Sequence, residues 1–368
     1  MKKSLLALAI AALASSSAAT AATVYDKDGS SLDVYGRVQG VLYSTHAATY
    51  NSYDDSSLQA TGRLGFNMRT NLTSGIDAFA NLEWDVADGH DNKSFGVRYA
   101  YLGADFGSFG VLKAGHFEDA LKYVISATDI FDDFGTNGQF DSDRRDGMFM
   151  YSWSGYGLDA NISYQTAQDK QKVARWYLHQ DGADYNYIEI NNAYAISLGY
   201  TSAPVLFGPI AIKAGYSHIY SQKDDTSSEN LTIQDVDYVS TWASALSWGN
   251  LDDGLYLATL VNNRKIKDYY NKDNVYKNFG IEAVAAYTFN NGISLRTGYN
   301  YHRYKEEGIF KNKVSARVIP VYVNYQVNSA FNVWAEARFD AGTDDIYNIL
   351  LGTNYDKEVY SLGARFTF

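Results

Sequence analysis

The sequence predicts an all-β chain: a transmembrane antiparallel up-and-down β-barrel of about sixteen strands. Three observations lead there. Apolar and polar residues alternate with period two in segment after segment. The links between segments run short and long in turn. Beyond the first residues no apolar run approaches the ~20 residues of a transmembrane helix, while most alternating segments have the ~9–11 residues of a tilted membrane strand.

The first residues read as a leader. "MKK" is basic, "SLLALAIAALA" is apolar, and small residues follow as far as Ala21. This is the layout of a secretory signal peptide over 1–21, cleaved before Ala22. Residues 22–368 then form one exported domain. There are no cysteines, which excludes disulfides and thiolate metal sites, and only 3 prolines, which suits strands that need every N–H. The net charge of −11 argues against nucleic acid, because such binders gather basic residues against phosphates.

Strict alternation marks strands with one apolar and one wet face. In "RLGFNMRTNL", Leu64, Phe66, Met68 and Leu72 oppose Arg63, Asn67, Arg69 and Asn71. In "FNVWAEARFDA", Phe331, Val333, Ala335, Ala337 and Phe339 oppose Asn332, Glu336, Arg338 and Asp340. "VYSLGARFTF" sets Tyr360, Leu362, Ala364, Phe366 and Phe368 against Ser361 and Arg365. Such segments fall at 32–44, 59–72, 76–87, 95–105, 109–116, 146–153, 157–166, 192–201, 209–221, 235–248, 253–264, 276–289, 293–304, 314–327, 330–341 and 358–368.

Short links such as "TSG", "FGS", "SGY", "NLD" and "NNG" alternate with long polar ones, of which 117–145 is the longest. Short turns at one end and long loops at the other describe an outer-membrane barrel. Only a closed barrel satisfies every strand N–H and C=O in lipid. A soluble β-sandwich would also alternate. It explains neither the link lengths nor the aromatics near strand ends, such as Tyr299, Tyr301, Phe366 and Phe368, which suit interfacial girdles.

Other chemistries leave weak traces. "DSDRRDG", Asp141 to Gly147, begins like a calcium loop but lacks the later Glu. The 6 His form no zinc-binding pair, no Gly-x-Ser-x-Gly segment frames a nucleophile, and neither a cofactor nor an enzymatic activity is expected. An outer-membrane enzyme on a smaller barrel and an adhesin presented on the long loops are competing classes. Rows among the 32 tyrosines could serve as a sugar-stacking track, though girdle and lumen lining account for them.

"ATVYDKDGSSLDVYGRVQGVLYS" after the leader, "GRLGF" at 62–66, "GSFGVLKAG" at 107–115 and the closing "GARFTF" resemble the general porins of the Gram-negative bacterial outer membrane. The resemblance implies a sixteen-stranded homotrimeric barrel among outer-membrane lipid and lipopolysaccharide, through which small hydrophilic solutes and ions diffuse passively. It implies that the third long loop, about 117–145, folds into the lumen. There, loop acids would face basic residues on the opposite wall.

Matched position by position, the acids are Asp129 and Asp133, with Asp132 beside them where the family usually has Pro. The matching basic residues are Arg37, Arg63 and either Arg144 or Arg145; His116 stands where many members carry Arg. Thr136 replaces a family Gly. Alternation places Arg37 beside Asp33 and Gln39, and Arg63 on the polar face of its strand; charge on the lipid side is costly, so both should point inward. The negative balance suggests a mild preference for cations.

Overall fold

The computed structural model describes residues 21–44, 57–87, 95–140, 144–172, 187–222, 236–268, 273–308, 311–351 and 353–368. The expected leader, apart from Ala21, and Asp141 to Asp143 lie outside them.

The strands in chain order are β1 Ala22–Lys27, β2 Ser30–Tyr43, β3 Ser57–Thr73, β4 Ile76–Ala87, β5 Gly96–Asp105 and β6 Val111–Phe117. There follow β7 Arg145–Gly155, β8 Leu158–Gln165, β9 Gln168–Lys172, β10 Tyr187–Val205, β11 Gly208–Ser221 and β12 Val236–Asn250. The last six are β13 Asp253–Asp268, β14 Val275–Thr288, β15 Ile293–Glu307, β16 Lys313–Asn328, β17 Phe331–Asp340 and β18 Val359–Thr367. Two short helices lie in long links, α1 Lys122–Ile125 and α2 Asp345–Leu351.

Each strand pairs antiparallel with its neighbour, and β18 returns to pair with β2, so the sheet closes into a barrel. Gly36 and Phe368 complete the seam with reciprocal backbone hydrogen bonds of 2.8 and 3.0 Å. The described strands fill sixteen wall positions. Two strands beyond the expected set extend others. β1 turns back through Asp28 and Gly29, both at positive φ as a two-residue hairpin requires, and covers Ser30–Val34 of β2 where β18 stops. β9 in the same way continues the line of β8 along β10.

Alternation sorts the wall into two faces. Val38, Leu42, Leu102, Ile162, Leu198, Ile212, Leu246, Val323 and Leu362 are exposed on the outside, where lipid covers them. Asn81, Glu83, Asn161, Asn262, Asn278, Glu282 and Glu336 are buried on the inside. At the long-link end, part of the inner face is apolar. Val239, Ile266, Tyr304, Val314 and Ala316 pack there beneath Tyr347 of α2, which is fully buried and hydrogen-bonded to His302 Nδ1.

Candidate functional site

Between β6 and β7 the described residues 118–140 leave the wall, and their hydrogen bonds reach polar-face side chains of other strands. Asp119 is the first anchor. Its carboxylate accepts from Arg145 Nη2 at 2.9 Å, Ser217 Oγ at 2.6 Å and its neighbour Leu121 N at 2.9 Å. Leu121, which precedes α1, and Val124 and Ile125 of α1 then bury against Ala243, Ala245 and Leu260 of β12 and β13. Tyr256 on β13 donates its hydroxyl to Ala127 O at 2.7 Å, and Arg296 on β15 donates to Ile130 O.

Two wall carboxylates hold the rest. Glu282 on β14 accepts from Thr128 Oγ1 at 2.5 Å, Gly138 N at 2.9 Å and Gln139 Nε2 at 3.3 Å. Glu336 on β17 accepts from three successive backbone amides, Asp132 N at 3.0 Å, Asp133 N at 2.8 Å and Phe134 N at 2.6 Å. Consecutive N–H groups converging on one oxyanion form a nest, whose partial positive charges suit a carboxylate. Close approach also needs small residues: a Cβ on Gly280 would sit 1.7 Å from Gly138 O. Thr136, standing where the family has Gly, adopts the left-handed φ of 65° that a Gly would take without strain.

Each sequence-selected residue now has a place. Asp129 pairs with Lys122 Nζ at 3.1 Å, inside the same segment. Asp132 accepts Arg365 Nη2 at 2.5 Å and Tyr322 Oη at 2.7 Å. Asp133 accepts Tyr43 Oη at 2.9 Å, Trp334 Nε1 at 2.9 Å and Ser361 Oγ at 2.5 Å. Arg63 sits 3.4 Å from both Glu83 and Asp85. Arg37 lies directly across from Arg63 and has no hydrogen-bond or ion-pair partner among the described residues. Arg144 pairs with Glu118 at 3.1 Å over the Tyr99 ring, Arg145 is buried on Asp119, and His116 Nδ1 lies 2.7 Å from Asp146. The structure thus brings Asp132 and Asp133 onto the β16–β18–β2 wall next to Arg37. Arg144, Arg145 and His116 gather where the segment leaves and rejoins the wall.

Three arginines were not among the site residues selected from the sequence, although alternation had set Arg365 on a polar face. Arg365 on β18 obeys the same alternation as Arg63, and its guanidinium lies 4.8 Å from the Trp334 ring. Arg296 on β15 stacks at 4.8 Å on Tyr322. Arg98 contacts Glu83 at 2.7 Å and Asp85 at 3.2 Å, although alternation with Tyr99 and Tyr101 would turn it outward. A register shift leaves it unpaired between Tyr99 and Val97, a bulge that turns it inward.

The Asp132 contact makes a pH prediction. Burial alone would raise this carboxyl; Arg365, the Tyr322 hydrogen bond and Arg296 outweigh it and hold the group below its ordinary value of 3.8. A depressed folded value stabilises the contact fully above the ordinary one, and the gain fades only as pH falls toward the depressed one. Channel current should therefore show an acid transition for this contact below pH ~4. In Arg365→Gln that transition should move upward; identical pH profiles would show that Arg365 does not set it.

A family profile described as Gram-negative porin matches residues 7–317, most of the sequence. The chain belongs to the Gram-negative porin family. As a porin it is an outer-membrane barrel with a channel function. It is 26% identical to the outer membrane porin PhoE of Klebsiella oxytoca, over 100% of both chains. It is also similar in fold to the solved complex of Salmonella typhi OmpF with daunomycin, at TM-score 0.69 and 20% identity over 94% of this chain and 100% of that one. The trimer form of Vibrio cholerae OmpT matches at TM-score 0.65 and 15% identity, over 93% and 100%. Among the described residues of this porin, no group of three His, Cys, Asp or Glu side chains could hold a metal ion.

Proposed function

We propose that this porin passes small hydrophilic solutes and ions by passive diffusion, with segment 118–144 narrowing the pore. One observation carries the reading. The segment is bonded to inner-face side chains from β11 round to β18 and β2, and only a path through the lumen reaches all of them. Acids on the segment beside wall arginines create a transverse field, in which a dipolar solute aligns while an apolar one gains nothing. The net charge of −11 supports mild cation preference. A homotrimer surrounded by outer-membrane lipid and lipopolysaccharide is the assembly that fits, and the trimer form of the Vibrio relative supports it. Export through residues 1–21 completes the proposal.

Reconstitution into planar bilayers should give stepwise openings, often in threes. Folded protein without conductance would overturn the reading. A second reading, a channel with a binding track for a particular anion or sugar, is favoured by Arg365, Arg37 and Arg63 on the adjacent strands β18, β2 and β3, with Arg98 on β5 nearby and Arg37 making no hydrogen bond or ion pair among the described residues. Saturable block of the current by one such solute would select it over free diffusion.

A further inference from the structure

The inner wall of a channel barrel is polar as a rule, and here part of it is aromatic. Tyr101 on β5 is the centre of the patch. Phe79 on β4, Tyr99 on β5 and Phe117 at the end of β6 meet its ring edge to face, at 6.4, 6.1 and 5.7 Å between centroids.

Register puts the patch inside. Phe79 lies across from Gly103, Gly103 from Lys113 and Lys113 from Met150, and Met150 is buried in one cluster with Ala120 of the in-folded segment. A Cβ on Gly103 would sit 2.4 Å from Phe79 Cζ, so glycine there makes room for the ring. Phe117 is fully buried, whereas Phe79, Tyr99 and Tyr101 are half-buried and line the lumen. Lys113 lies two residues into β6 from the short β5–β6 link, which puts the patch on the short-turn, periplasmic side of Arg37 and Arg63.

Lys113 brings charge to these rings without an acid. Its ammonium stands 4.8 Å from the Tyr101 ring centre and 4.2 Å from that of Phe117, and it makes no hydrogen bond or ion pair among the described residues. The carboxylates of the surrounding wall are engaged elsewhere. Glu118 accepts from Tyr99 Oη at 2.8 Å and Arg144 at 3.1 Å. Asp105 and Asp77 share Arg69, at 3.0 and 2.6 Å, and Glu83 accepts from Arg98 at 2.7 Å.

Cation–π contacts position such an ammonium but leave its N–H donors to water. A carboxylate can take those donors, and a flat ring bonded to that carboxylate can pack on Tyr101 and Phe79. A sugar offers the ammonium no charge, and an inorganic anion offers the patch no ring. An aromatic carboxylate offers both.

We propose that Lys113, Tyr101 and Phe79 form a subsite for small aromatic carboxylates on the periplasmic side of the narrowing. This gives the binding-track reading a ligand class, and it rests on that reading in requiring that solutes reach this wall. Affinity should be weak, on the order of millimolar, as suits a small solute that must also leave.

The test uses the full-length folded porin in detergent micelles, titrated with benzoate and followed by saturation-transfer NMR. Benzoate binding should saturate. Benzyl alcohol, which lacks the charge, and cyclohexanecarboxylate, which lacks the aromatic ring, should each bind several-fold more weakly. Lys113→Met, which keeps a long apolar side chain on the rings, should weaken benzoate binding at least about tenfold, because a hydrogen bond to a charged group is lost. Lys113→Arg should retain most of the affinity, and Arg37→Gln should retain all of it. Every variant should still open stepwise in planar bilayers, so a loss of benzoate by a conducting variant reports on the subsite and not on folding or on the channel. Unchanged affinity in Lys113→Met would overturn the proposal, as would either control binding as tightly as benzoate. So would an equal loss in Arg37→Gln, which would move the carboxylate to the arginines above. Benzoate bound in the expected pattern by protein that conducts no current would support the subsite and overturn the diffusion reading instead.

Discussion

Glu336→Gln is expected to raise single-channel conductance and to add open-channel noise while the barrel stays folded. Both Glu336 oxygens are acceptors for segment 118–144, one for Asp132 N and Asp133 N, the other for Phe134 N. A glutamine places an NH₂ where one of those oxygens was, so donor meets donor. Hydrogen bonds to a charged acceptor contribute about 1.5–3 kcal/mol each, and a buried donor left unpaired costs about as much again. Glu336 is nearly fully buried, so water offers little compensation. The tip of the segment should then exchange between latched and released positions. Adding Glu282→Gln, which disturbs the contacts to Thr128, Gly138 and Gln139, should enlarge both effects. Planar-bilayer recordings decide the matter. Traces from Glu336→Gln that superimpose on wild type would mean that this carboxylate does not hold the segment in the ion path.

The second large effect is expected for Arg37→Gln, which should move the reversal potential in a salt gradient toward cations. Arg37 is the clean probe of the field because, among the described residues, it makes no hydrogen bond or ion pair to lose. One unit charge within several Å of a permeating ion in water changes its energy by a fraction of 1 kcal/mol, so the cation-to-anion permeability ratio should rise about two- to fivefold. The obvious alternative, Asp133→Asn, is less direct. It removes a charge but also turns an amide toward Trp334 Nε1, Ser361 and Tyr43, which now donate to the carboxylate. A reversal potential unchanged in Arg37→Gln would place this arginine outside the ion path.

These two variants show where the sequence was sufficient and where it was not. Period-two alternation located the sixteen wall positions to within a few residues, because one lipid-facing and one wet face force the pattern on every strand. The same rule assigned Arg37 and Arg63 to the inside and set Arg365 on the polar face of its strand, without showing that it meets Asp132. It could not find Arg98, because a bulge adds one residue to β5 and reverses the face on which that arginine falls. β1 was missed because it is a short hairpin arm outside the long alternating segments.

For the segment, the sequence showed that acids cluster at Asp129, Asp132 and Asp133, but not what they meet. Asp132, which departs from the family's usual Pro, meets Arg365 at 2.5 Å, while Asp129 pairs within the segment with Lys122. Glu282 and Glu336 looked like ordinary polar-face residues of their strands. Their role as anchors depends on backbone amides some 140 and 200 positions away in the chain.

The sequence by itself therefore determined the barrel, its strand count, the sidedness of its loops and the sign of its charge. These follow from a local constraint: in lipid every strand must pair and turn an apolar face outward, so each segment carries its own record of the fold. Only the tertiary structure decided how the segment between β6 and β7 is held and which partner each of its acids meets. Those are contacts between residues distant in the chain, fixed by register and barrel closure, and no local pattern encodes them.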